Sequence, residues 1–281
     1  MTSHGEAHHA SRLPSLRLCM AIYRLDLTKR KLAALPPTER RLLILLGHAS
    51  NEINVLQRLI VMSRQSQHKN KSTGYVQAWQ TLFLIRLLIG KVHDAWEFFQ
   101  VRFQDNRVAA AKYIPLIGES GKKALTSLKQ HFASGSPLAR IRNKFSFHYN
   151  DKDDLIDASF NRLPEDEPLL CYLSNIEGNS FYGASELVIA KGIVELAGCA
   201  PSGAKAKNGG GGEVEQGFDN LYLLTLGVAD RMVTLFGQCI GAIVVSHLGN
   251  EAQLTEVEVG LVPKLSEIEV PFFVDQSKLI R

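Results

Sequence analysis

Two long stretches with the same apolar rhythm leave this chain few folds to choose from. From Thr38 onward, Leu42, Leu45, Leu46, Ile53, Leu56, Leu59 and Ile60 recur at helical spacing to about Arg64. After a polar break from Gln65 to Lys71, Trp79, Phe83, Leu87, Val92, Trp96, Phe99 and Phe103 repeat the pattern from about Ser72 to Gln104. Apolar residues three and four apart form one stripe of a helix, and so long a stripe has to be buried against another. The short break therefore predicts an antiparallel helical hairpin with its turn near Gln67. Thr38 is expected as the N-cap of the first helix, behind Pro36 and Pro37.

The rest of the chain is arranged around that hairpin. The polar segment before about residue 14, with His4, His8 and His9, reads as a frayed end, and Leu16 to Leu35 as an arm lying on the core. Beyond the hairpin, Tyr113 to Gly118 is a connector and Ser120 to Ala133 a third helix. Ser134-Gly-Ser-Pro137 stops that helix and starts a fourth, with Ser136 as N-cap and Pro137 in the first helical position. Asp151 to Phe160 reads as one more short helix. After Asn161 come extended pieces at Leu169 to Ile176 and Ser180 to Tyr182, and a helix from Ser185 to Leu196. A flexible linker at 201–212 ends in four glycines, and a long helix from Val214 to His247 and an extended tail from Val257 to Val274 follow. The expected fold class is mainly α: an antiparallel helical bundle over 37–160, an arm at 1–36, and a C-terminal extension at 161–281 packed on the bundle.

Several function classes fall away on composition. The longest apolar run, Met232 to Ser246, falls short of the roughly twenty residues of a membrane span and contains Gln238, so a buried helix and no membrane are expected. Cys19, Cys171, Cys199 and Cys239 form no CxxC pair, which predicts reduced thiols rather than disulfides or a zinc site. With no basic-then-apolar segment in the first residues, the location expected is cytoplasmic. The glycine run lacks the Lys-Ser/Thr of a phosphate-binding loop. A formal net charge of +4 permits a polyanionic partner without arguing for one.

The residues best suited to chemistry stand together in Leu138-Ala-Arg-Ile-Arg-Asn-Lys-Phe-Ser-Phe-His-Tyr149. Leu138, Ile141, Phe145 and His148 fall at spacings of three, four and three, one apolar stripe that His148 ends. A histidine there is either a core residue or a proton carrier. Arg142 lies about 120° from it on an ideal helix, and the two converge on a phosphate if the helix loosens near Tyr149. Phe145, Phe147 and Tyr149 could stack bases, but their helical setting favours core packing. Asn51 and Glu52 interrupt the apolar first helix. Either they face solvent, or Glu52 reaches the motif helix and orients Arg142 or His148, with Arg86 an equally good partner. His48 with Glu52, and His93 with Glu97, are four apart on their helices, as metal pairs in bundles are. A turn near Gln67 sets the two histidines about 10 Å apart along the axis, too far to share an ion, so no metal and no cofactor are expected.

Arg142-Asn143-Lys144-Phe145-Ser146-Phe147-His148, with five residues between arginine and histidine, resembles the R-x(4–6)-H motif of the HEPN superfamily. The resemblance covers Thr38 to Phe160, where the helix order is also similar: two long helices, a shorter one, then the motif helix. It implies an RNA-binding protein or a metal-independent ribonuclease in phage defence or toxin–antitoxin-type growth control. Arg142 would hold the scissile phosphate, His148 would act as general acid or base, and Asn143 would position the pair. It also implies a homodimer in which two motifs meet, and an antitoxin or other protein partner. The same family contains non-catalytic interaction modules, the alternative function for this chain.

Overall fold

The computed structural model describes residues 22–65, 71–104, 107–133, 135–146, 155–176, 178–198, 211–249, 254–257, 263–264, 267–268 and 270–273. His4, His8, His9, Cys19, Gln67, Phe147, His148, Tyr149, Asn150, Cys199 and 201–210 of the expected linker lie outside them. Within them the protein is mainly helical. The hairpin helices are α2 (Pro37–Gln65) and α3 (Lys71–Phe99), preceded by a short α1 (Lys29–Ala34). The Arg40 N–H donates to the Pro36 carbonyl at 2.9 Å, so helical bonding begins two residues before the expected cap, Thr38. Pro37, which has no N–H to satisfy, takes the first helical position.

The hairpin is antiparallel, but in a different register. Ser63 and Thr81 hydroxyls meet at 2.8 Å, and Lys91 Nζ meets Glu52 Oε1 at 2.6 Å. Eleven residues back along α2 thus match ten forward along α3, and the midpoint falls near residue 72 rather than Gln67. The cause is local. The Gln77 amide donates to the Ser63 and Arg64 carbonyls, each at 2.7 Å, and so closes the last turn of α2 with a side chain from the second turn of α3. This corrects the partner expected for Glu52: Lys91 takes it, while Arg86 pairs with Glu186 at 3.5 Å.

α3 widens into a π-helical turn at Gln100–Gln104, and α4 (Arg107–Tyr113), α5 (Glu119–His131) and α6 (Pro137–Ile141) follow. A second π-helical turn, Arg142–Ser146, continues α6. Beyond it lie α7 (Leu155–Phe160), α8 (Gly183–Leu196) and the long α9 (Gly211–Leu248). Between α7 and α8 the extended pieces meet in one antiparallel bridge, Tyr172 with Phe181.

α9 is built into the core. Its Leu221, Val228, Met232, Leu235, Phe236, Cys239 and Ile243 are all fully buried, and it packs on α2, α3, α5 and α8. Phe236 sits 5.6 Å from Phe99, which stacks on Phe103 at 4.8 Å. By length and composition α9 is also the one described helix apolar enough to cross a membrane, yet half of that apolar window is buried inside the molecule. The segment read as an arm carries one half of the strand pair found among the described residues. Ile22–Leu25 forms strand β1 and pairs antiparallel with β2 (Leu254–Val257), Ile22 opposite Val257. β2 ends where the extended tail was expected to begin.

Candidate functional site

Leu138 and Ile141, both fully buried, fix α6 against the hairpin, and the chain then opens into the π-helical turn that begins with Arg142. Such turns widen the helix and recur at functional sites. The ideal angle between Arg142 and later residues no longer applies there. Arg142 Nη2 donates to Asp94 Oδ1 on α3 at 3.1 Å, and Nη1 to Asn143 Oδ1 at 3.1 Å. The arginine side chain is 29% exposed, so it is held in place yet still meets solvent. Two charge-assisted bonds fix the plane of the guanidinium, and that plane is what bidentate phosphate recognition uses.

Five polar side-chain atoms on α3, α5 and the motif turn are left without hydrogen-bond partners. His93 Nδ1, Trp96 Nε1, His131 Nε2, Arg142 Nε and Ser146 Oγ are buried with no hydrogen-bond partner. Phe132 links three of these side chains, with its ring 6.0 Å from that of His93, 5.4 Å from Trp96 and 5.0 Å from His131. Burial, with the Arg231 charge in support, holds His131 below its ordinary pKa. Unsatisfied buried polar atoms are uncommon, and a cluster of them calls for a reason.

His93, Asp94 and Glu97 bring their ligand atoms within 4.8 Å of one another. The axial offset expected between His48 and His93 shrinks in the observed register, so distance along the hairpin no longer separates them. Each histidine nonetheless stands 3.8 Å from its own helix's glutamate. A cation at His93 would compete with the Arg142 charge already on Asp94, which disfavours the group as a metal centre.

The other expected site residues are elsewhere. Glu52 lies between Lys91 and His48 and does not orient Arg142; Asp94 does. Asn51 lines a groove of about 910 Å³ with Val55, Arg58, Met62, Leu226 and Ile268, on the α9 side of α2. His148 lies outside the described residues. The signal for Asp94 was present in the sequence as a His93-Asp94 pair inside an apolar helix.

A second polar cluster had no such signal. Glu39 near the start of α2 accepts hydrogen bonds from Tyr113 Oη and from Lys112 Nζ (3.1 Å) and pairs with His247 Nε2, which is 3.1 Å from Tyr113 Oη. Burial alone would raise the Glu39 carboxyl, but the hydrogen bonds from Tyr113, Lys112 and His247 outweigh it and hold the group below its ordinary value. Tyr113 moves the other way, raised by burial and by the adjacent carboxylate. The cluster joins three helix ends, with a carboxylate at an N-terminus and a histidine at a C-terminus, as helix dipoles favour. No family model matches this chain, and no curated protein or solved structure is significantly similar to it.

Proposed function

We propose that this chain is a HEPN-like protein that binds or cuts RNA at the Arg142 corner, acting in the cytoplasm as a homodimer in phage defence or growth control. The observation that carries it is the Arg142 guanidinium, partly exposed on a π-helical turn and fixed by Asp94 and Asn143 within a motif of the right composition. In this reading Arg142 bonds the non-bridging oxygens of the scissile phosphate and stabilises the charge that develops on them. His148 takes the proton of the 2′-hydroxyl as its oxygen attacks phosphorus, and the 5′-oxygen leaves with a proton returned to it. The second reading, a non-catalytic interaction module with a protein partner such as an antitoxin, is favoured by Ile44, Val55 and Leu59, apolar side chains left exposed along α2.

The two readings separate on one experiment. Arg142→Ala and His148→Ala should each abolish cleavage of single-stranded RNA, and the double variant should be little worse than either, since both act in one step. Cleavage should persist with a chelator present and fail on a substrate lacking the 2′-hydroxyl at the cut. Activity intact in both single variants removes the catalytic reading, and a pull-down that depends on the α2 face then supports the second.

A further inference from the structure

We propose that the cleft between the start of α2 and the end of α3 is a subsite for single-stranded RNA, seating a base and phosphates next to the one held at Arg142; it rests on the RNA reading above. The cleft has a volume of about 450 Å³, in the size class of sites for small organic ligands. One wall is a face of α2, with Leu42, Leu45 and Arg41 at spacings of three and four. The other is Phe98, Val101 and Arg102, where α3 widens into its π-helical turn.

Charge and apolar surface both fit a nucleotide. Arg41 and Arg102 are exposed and, among the described residues, neither has a hydrogen bond or ion pair. Glu39, the acidic residue of the lining, is already committed to Lys112, Tyr113 and His247, so the lining presents an excess of positive charge. Leu45 and Val101 are large apolar side chains left 44% and 58% exposed, and Phe98 supplies an aromatic face beside them. Apolar walls flanked by unpaired guanidiniums match a base joined to phosphates, because stacking and phosphate pairing are how single strands are held without sequence reading. The cleft also lies on the route from Arg142. Asp94, which holds Arg142, stands four residues before Phe98 and eight before Arg102, about one and two helical turns along α3. A strand with its scissile phosphate at Arg142 therefore reaches the cleft within a few nucleotides.

The test is fluorescence anisotropy of the intact chain with a labelled 2′-O-methyl oligoadenylate, which cannot be cut through its 2′-oxygen. Arg41→Gln and Arg102→Gln should each weaken binding about tenfold and lower the slope of log affinity against log salt by about 0.7. Phe98→Leu, which keeps the wall but not the aromatic face, should weaken it about fivefold or more. Both arginines are exposed, so melting curves matching the wild type are expected to accompany these losses. If Arg142→Ala weakens binding while the Arg41 and Arg102 variants keep both affinity and salt slope, the subsite is wrong and the RNA reading stands. If the unaltered chain binds no oligonucleotide even at low salt, the RNA reading falls and takes the subsite with it.

Discussion

Glu39 shows how far a single carboxylate can reach through a fold. Its folded-state pKa is depressed, so its contribution to stability is complete above its ordinary value of 4.5 and disappears as pH falls through the lower folded value. His131 adds an earlier step. A neutral, half-buried histidine with a lowered pKa stabilises fully above 6.5, and that contribution declines as pH falls below it because the unfolded chain takes up the proton more readily. Denaturant midpoints should therefore drop from about pH 7 toward 5 and again below about 4.5. His131→Leu should flatten the first drop, and Glu39→Gln the second. Glu52→Gln should do little: Glu52 and Lys91 are each a third or more exposed, and such pairs contribute about 1 kcal/mol or less. A loss of several kcal/mol in that variant would mean that Glu52 supports more than Lys91. Of these residues the sequence made Arg142, Asn143 and Glu52 visible, because their polarity breaks a local pattern. It could not show that Glu39, Tyr113 and His247 meet, since no local pattern connects residues 74 and 208 positions apart.

At the scale of elements, helices were legible wherever an apolar stripe repeated, and their register was not. Periodicity says that α2 and α3 pack; which residue faces which was decided by the Gln77 side chain closing α2, and that moved Lys91 opposite Glu52. β1 was missed for a related reason: four residues paired with a segment more than two hundred positions away have no rhythm of their own. The site depends on another element-level contact. Gly192, inside α8, abuts the motif turn so closely that a Cβ there would lie 2.9 Å from Phe145 and 2.8 Å from Ser159 Oγ. Glycine to alanine within a helix ordinarily gains about 1 kcal/mol. Here overpacking should reverse the sign, with Gly192→Ala losing about 1–3 kcal/mol in chemical denaturation. Pushing on Phe145 should also shift the Arg142 turn, so on the RNA reading proposed above any RNA cleavage or binding should fall more than stability does. A stabilised Gly192→Ala would show that α8 and the turn are looser than this packing.

For the molecule as a whole, the place of α9 among the other helices has a consequence for how the protein is made. A ribosome delivers α2, α3, α5 and the motif turn long before it delivers Met232, Phe236 and Ile243, the side chains that complete their core. Until then the nascent chain carries an open apolar cleft, the kind of surface that chaperones hold and that drives aggregation. A chain stopped at residue 210 should therefore be soluble only with a chaperone, bind apolar dyes and melt without a cooperative transition, whereas the full chain should melt in one step. A stable, cooperatively folding fragment over 37–160 would contradict this. The keystone thus arrives well after the motif it steadies: on the RNA reading proposed above, Arg142 would reach its final geometry only once α9 has emerged, and a protein that cuts RNA would be kept harmless to its own transcript by the order in which its helices emerge.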